Sequence, residues 1–196
     1  MGTHEVIAQA CALLTNGNEV AAGRLIDSEY PFKPFLPEKR TWSALASTQV
    51  FWRDGFTCRY CERRLVFPGA LRILSTTLPD QFPYHPNWKT TECHFGYWEL
   101  SPTVDHVVPI SREGTESDAN WVTACWLCNS RKSHFSIDEL GWTLKRQSRI
   151  EEWDGLLRWF VEFAESNPKT AMLNGLARWH SAASKVIRAA RSKGQP

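Results

Sequence analysis

The sequence has no long apolar run. No stretch approaches the roughly 20 consecutive apolar residues that a membrane-crossing helix needs, so a membrane protein of the helical kind is not expected. A dominant charge is also missing. Lys and Arg total 23 against 21 Asp and Glu, a net of +2, so any nucleic-acid surface must be local rather than global. Six cysteines in 196 residues are too few for a disulfide scaffold. Low-complexity tracts are absent. Gly2 lacks a Ser or Thr four residues on, which acylation would favour. Nothing at the start reads as a leader peptide. The expectation is a cytoplasmic protein whose thiols stay reduced.

What the chain does have is tryptophan, 10 residues of it, which predicts an aromatic-rich core. Its length fits a single domain. We divide that domain into an N-terminal helical region (1–52), a core (53–142) with an insertion at about 65–103, and a C-terminal helical region (143–196). Helical spacing of Val6, Ile7, Ala10, Cys11 and Leu14 predicts a helix over 4–14, with Cys11 as a buried structural thiol. A second helix is expected over 19–27, and a proline- and aromatic-rich extended connector over 30–37. A third helix opens at Thr41-Trp42-Ser43 and reaches about Trp52. In the insertion, Pro68-Gly69 reads as a turn and Leu71 to Leu78 as a short helix; Cys93, His94 and His85 read as a packed cysteine and partly exposed histidines. Ser136 and Glu139 form a capping-box pattern that predicts a helix through Trp142. Glu151 to Ala164 is strongly amphipathic, and Thr170 to Arg191 is helical again. After Glu165 no acidic residue occurs, so the tail is basic.

Four of the cysteines fall into two C-x-x-C pairs, Cys58/Cys61 and Cys125/Cys128. A gap of two lets one turn present both sulfurs to one ion, and four thiolates suit tetrahedral Zn²⁺. Two disulfides or plain buried cysteines are the competing readings. A zinc site of this kind is structural, because no coordination position stays open for substrate.

Between the pairs lies Val104-Asp105-His106-Val107-Val108-Pro109. Its β-branched residues predict a strand, on which neighbouring side chains point to opposite sides. A polar loop over 111–118 and a return strand at Asn120-Trp121-Val122-Thr123 complete a hairpin, and a helical turn from Asn129 follows the second pair.

Taken together, Arg53-Asp54-Gly55-Phe56-Thr57-Cys58-Arg59-Tyr60-Cys61, the Asp105-His106 strand, Asn120-Trp121-Val122 and Cys125-Trp126-Leu127-Cys128-Asn129-Ser130-Arg131-Lys132 resemble the zinc-containing HNH endonucleases. The resemblance covers about residues 51–135. It implies an α+β fold: a ββα-metal core stapled by a four-cysteine zinc site and flanked by N- and C-terminal helices. It implies catalytic roles for His106, as general base, and for Asn120, orienting His106 through a hydrogen bond. It implies that Asp105 and Asn129 hold the catalytic cation, Mg²⁺ or another divalent ion. Two departures stand out: the long stretch from Cys61 to Asp105, and Ser133 where glycine is common.

The chemistry of the residues agrees with this resemblance. Phosphodiester hydrolysis needs an activated water and charge relief on the leaving oxygen. A neutral imidazole suits the first task and a hard cation on Asp and Asn oxygens the second. Arg131 and Lys132, following Asn129, are expected to contact phosphate, and Arg59, Arg63 and Arg64 to widen that track. The expected partner is double-stranded DNA, with restriction or defence against foreign DNA as the setting. A homodimer would allow both strands to be cut, though nothing in the sequence requires one. A zinc-knuckle protein that only binds nucleic acid, and a structure-specific or RNA-directed nuclease, remain as alternatives.

Overall fold

The computed structural model describes residues 1–32, 42–171, 175–192 and 194. The chain divides into two compact units, Met1–Glu38 and Lys39–Pro196. The first unit is a helical hairpin of α1 (Thr3–Thr15) and α2 (Glu19–Glu29). Asn18 caps α2 by accepting a hydrogen bond from the Ala21 amide. Val6, Ala10 and Ala22 are buried, but Cys11 is exposed, which corrects the expectation of a buried thiol there. The expected connector lies, from residue 33 onward, outside the described residues.

The second unit contains α3 (Ala44–Arg53), α4 (Pro68–Thr77), α5 (Gly96–Leu100), β1 (Pro102–His106), β2 (Trp121–Cys125), α6 (Trp126–Lys132), α7 (Leu157–Ser166), α8 (Pro168–Ala171) and α9 (Leu176–Ser192). Ser43 caps α3 through its hydroxyl. Pro68 is not a turn residue; it opens α4 at a first-turn position, where its missing N–H costs nothing. The amphipathic segment over 151–164 becomes helical only from Leu157, because Gly155 and Leu156 both take positive φ. Gly155 is required there, since a Cβ would lie 2.3 Å from the Phe56 ring. Ser136 and Glu139 make the capping-box hydrogen bonds, but they close turns over 138–141 and no helix follows. Among the described residues, no helix is long and apolar enough to cross a membrane.

Strands β1 and β2 pair antiparallel with Thr103 opposite Ala124, Val104 opposite Thr123, Asp105 opposite Val122 and His106 opposite Trp121. Directly opposed residues share a face, so this register divides the hairpin cleanly. Thr103, Asp105, Val122 and Ala124 face one way; Val104, His106, Trp121 and Thr123 face the other. The first face packs on a small core with Cys58, Cys125, Cys128, Tyr60 and Leu65. Thr123, on the second, meets α3 and bonds the Val50 carbonyl. A larger aromatic core joins Phe51, Phe56, Phe67 and Phe160 with residues of the insertion and of α9.

One buried carboxylate ties these parts together. Asp54, at the C-terminal end of α3, is 0% exposed. It accepts from the Thr123 backbone N–H of β2 at 2.7 Å, from Arg53 at 3.0 Å, from Gln147 at 3.1 Å and from Arg59 of the first cysteine turn at 3.4 Å. Arg53 in turn donates to the carbonyls of Asp118 and Trp121. Removing the carboxylate would leave two guanidinium groups and a buried amide short of partners. Asp54→Ala should therefore destabilise the protein by about 3 kcal/mol or more, read as a lower denaturant midpoint in urea unfolding.

Candidate functional site

The four paired cysteines converge. Sγ atoms of Cys58, Cys61, Cys125 and Cys128 all lie within 4.8 Å of one another, and Cys61 and Cys125 are 3.8 Å apart. Four sulfurs at about 2.3 Å from a tetrahedral ion would stand about 3.8 Å apart, so the cluster is compatible with zinc. Cys125 caps α6, its sulfur accepting from the Cys128 amide at 3.4 Å. The crowded thiols share their protons unevenly. Hydrogen bonds from Cys128 and then Cys58 lower the Cys125 thiol. Donation to Cys125 and Cys58, together with burial, pushes Cys128 up. A dication among them favours the thiolate form throughout.

The same α6 crosses the first face of the hairpin. Asn129 donates from Nδ2 to Thr103 Oγ1 at 2.9 Å. One turn later, Lys132 Nζ lies 3.1 Å from Asp105 Oδ2 and donates to the His106 carbonyl at 2.6 Å. Thr103 and Asp105 alternate on one strand face, while Asn129 and Lys132, three apart, share one helix face. The two contacts are successive rungs between strand and helix. Asp105 Oδ2 also accepts from the Tyr60 hydroxyl at 2.6 Å. Burial, and then the Asp105 charge, push the Tyr60 phenol well above its ordinary value, so it remains a donor. Among the described residues neither Asp105 Oδ1 nor Asn129 Oδ1 accepts a side-chain or capping hydrogen bond, so each remains available as an oxygen donor. A hard divalent ion suits that donor pair.

His106 points to the opposite face. Its Nε2 accepts from the Trp121 indole N–H at 3.2 Å and stands 3.0 Å from Glu116 Oε2. Trp121 supports the proton-free nitrogen; Glu116 supports the protonated one. Trp42 covers this group, edge-on to Trp121 at 4.5 Å and 5.8 Å from the His106 ring. Asn120 does not reach His106, contrary to expectation. Its side chain bonds Val108 N–H at 2.8 Å, and the carbonyls of Val108 and Thr115 at 2.9 Å each. It thereby closes the loop between the strands, and its backbone carbonyl accepts from Val107 N–H just beyond His106. Its influence on His106 is indirect.

The basic residues separate by burial. Arg131 is exposed. Lys132 is 0% exposed and engaged with Asp105, so it is not a surface contact for phosphate, correcting the expectation from its position in the sequence. Arg59 is occupied by Asp54 and by the Lys145 carbonyl. Arg63 sits against Glu99, which leaves Arg64 exposed. His134 is exposed and stacks on Phe135. His94 stacks on Phe82, and Cys93 is buried. Among the described residues the four cysteines are the one group of three or more His, Cys, Asp or Glu side chains close enough to share an ion.

Sequence reasoning missed Tyr60, Glu116, Trp121 and Trp42 as neighbours of the Asp105-His106 pair. Tyr60 sits within the first C-x-x-C and Trp121 directly follows Asn120, so proximity to the motifs was a usable signal for both. Glu116, in a polar loop, gave none.

Ser133, the departure from glycine, ends α6 at φ 49 and ψ −121, a region costly for a residue with a side chain. Ser133→Gly should stabilise the fold by about 1 kcal/mol, read from chemical denaturation. Adding a chelator to protein prepared with Zn²⁺, or Cys61→Ser, should lower the melting temperature by about 10 °C or more, read by scanning calorimetry.

A family model described as HNH endonuclease matches residues 92–135. No curated protein and no solved structure matches the chain. The matched span takes in β1, β2, α6 and the second cysteine pair, while Cys58, Cys61 and Asp54 lie outside it. Motif order, hairpin, helix and thiol cluster agree with that match, so residues 92–135 are similar to the HNH endonuclease family.

Proposed function

We propose that this chain is a metal-dependent endonuclease that hydrolyses phosphodiester bonds of double-stranded DNA. One observation carries the reading: Asp105 and Asn129 stand on facing sides of a strand and helix joined by two rungs, with His106 the next residue along the strand. Asp105 and Asn129 hold a divalent cation, Mg²⁺ being the natural choice for oxygen ligands. An ion held there would supply charge relief to the leaving oxygen of the scissile phosphate. His106 takes the proton of the attacking water on its other ring nitrogen, Nδ1, and the Glu116 carboxylate 3.0 Å from Nε2 steadies the resulting imidazolium. Trp121 and Trp42 hold the ring in place and keep bulk water from one side of it. Asn120 fixes the loop that carries Glu116. Zn²⁺ on the four cysteines locks α6, and so Asn129, against β1. Arg131, exposed beside this group, contacts flanking phosphate, which makes affinity fall with salt. The setting we favour is the cytoplasm, in restriction or defence against foreign DNA.

A specific observation favours a second reading. Lys132 already supplies a positive charge to Asp105, so a zinc-stapled protein that binds nucleic acid without cutting it would also be electrically satisfied. Incubation with supercoiled plasmid and Mg²⁺ or Mn²⁺ separates the two. The enzyme should nick or linearise the plasmid, and His106→Ala should slow this by about 100-fold or more. Absence of cleavage of any DNA form with either metal would favour the binder.

A further inference from the structure

Beside the hairpin lies a cavity of about 420 Å³, within the roughly 300–1,000 Å³ range of small-ligand sites. It is built by parts a minimal ββα-metal core does not need. The insertion contributes Arg72, Tyr84, Trp88 and Tyr97, and α9 contributes Arg178 and Trp179. Aromatic side chains supply much of its lining. Arg72 stacks its guanidinium 3.4 Å over the Tyr84 ring, and its Nη1 is buried with no hydrogen-bond partner. Arg178, exposed at the rim, leans over Trp179 at 5.6 Å.

This chemistry narrows the occupant. A cationic ligand, such as a methylated ammonium, would meet two guanidinium groups. A purely apolar ligand would leave Arg72 Nη1 buried and unpaired, which is costly. A planar ring with hydrogen-bond acceptors on its edge satisfies both the aromatic walls and the arginine, and the second arginine suits an attached phosphate. The cavity also shares walls with the nuclease group. Trp42 lines it and covers His106; Thr103 lines it and accepts from Asn129. From Thr103 to His106 is about 10 Å along the strand, close to three nucleotide rises.

We propose that this cavity receives one unpaired nucleobase of the DNA strand near the cut, packed against Trp88 and Trp179 and bonded on its acceptor edge by Arg72. This rests on the nuclease reading above, and it makes an unpaired or extruded base part of what the protein recognises. Extrusion is cheapest where the base already lacks a partner, so a duplex with one bulged nucleotide is the probe.

Binding is measured by fluorescence anisotropy without added divalent metal, on a fully paired DNA duplex and on the same duplex carrying one bulged deoxyuridine. The wild type should bind the bulged duplex about tenfold tighter or more. Arg72→Met and Trp88→Leu, each checked for an intact melting transition, should bring the two affinities together. With 5-iododeoxyuridine at the bulge, ultraviolet crosslinking should attach the base to Trp88 or Trp179, mapped by peptide mass spectrometry. Equal affinities in the wild type, a preference that survives both substitutions, a crosslink mapped elsewhere, or a preference seen with RNA alone would each overturn the proposal. Its failure is distinguishable from failure of the nuclease reading. Capture of the base without plasmid cleavage removes the enzyme and keeps the pocket. Cleavage dependent on His106 with equal affinities does the reverse.

Discussion

The Asp54 carboxylate is the constraint on which the rest of the fold depends. It sits with no solvent exposure at the end of α3, yet it touches β2, the first cysteine turn and the chain at Gln147. A charge so placed is tolerable only when every oxygen is met by a donor. Those donors come from segments up to 93 residues away. The carboxylate therefore favours one arrangement over the many ways in which a two-stranded hairpin could lie against a helix. A hairpin of that size is marginal in isolation. Here it is held from one side by Asp54 and α3, and from the other by the thiol cluster and α6.

The division of the hairpin into two faces organises the chemistry. Groups suited to a cation, Asp105 and Asn129, lie on the face next to the cysteines. The imidazole lies on the other, among Trp42, Trp121 and Glu116. Adjacent residues on a strand thus serve different environments without competing for one space. The cysteine cluster has no direct part in that chemistry. It fixes the start of α6, and α6 sets where Asn129 and Lys132 meet β1.

Much of this was legible in the sequence, and the rest was not for identifiable reasons. The cysteine spacing, the β-branched residues around Asp105-His106 and the return strand are local patterns, so the hairpin and the thiol site could be read directly. The amphipathic stretch before Leu157 carried a helical period, but Gly155 and Leu156 at positive φ delay the helix, and close packing on Phe56 decides that. The capping box at Ser136 forms its hydrogen bonds without a helix to follow, because the pattern reports an N-terminus and not what comes after it. Lys132 read as a surface cation since lysine is rarely fully buried; its burial depends on Asp105, 27 positions earlier. Asp54 carried no local sign of its role, because its partners lie far along the chain. The Asn120 side chain serves the loop rather than the imidazole, a distinction that spacing alone does not make. The insertion offered prolines and aromatics without periodicity, and its role as a cavity wall emerged only with α9 beside it.

The two cysteine pairs are separated by 64 residues between Cys61 and Cys125. At ribosomal speeds of about 5–20 residues per second, the first pair waits roughly 3–13 seconds for the second. Throughout that interval neither the ion cage nor the face of α6 that meets β1 exists. A nascent chain therefore carries only half of the thiol cluster until the second pair emerges and closes on the first.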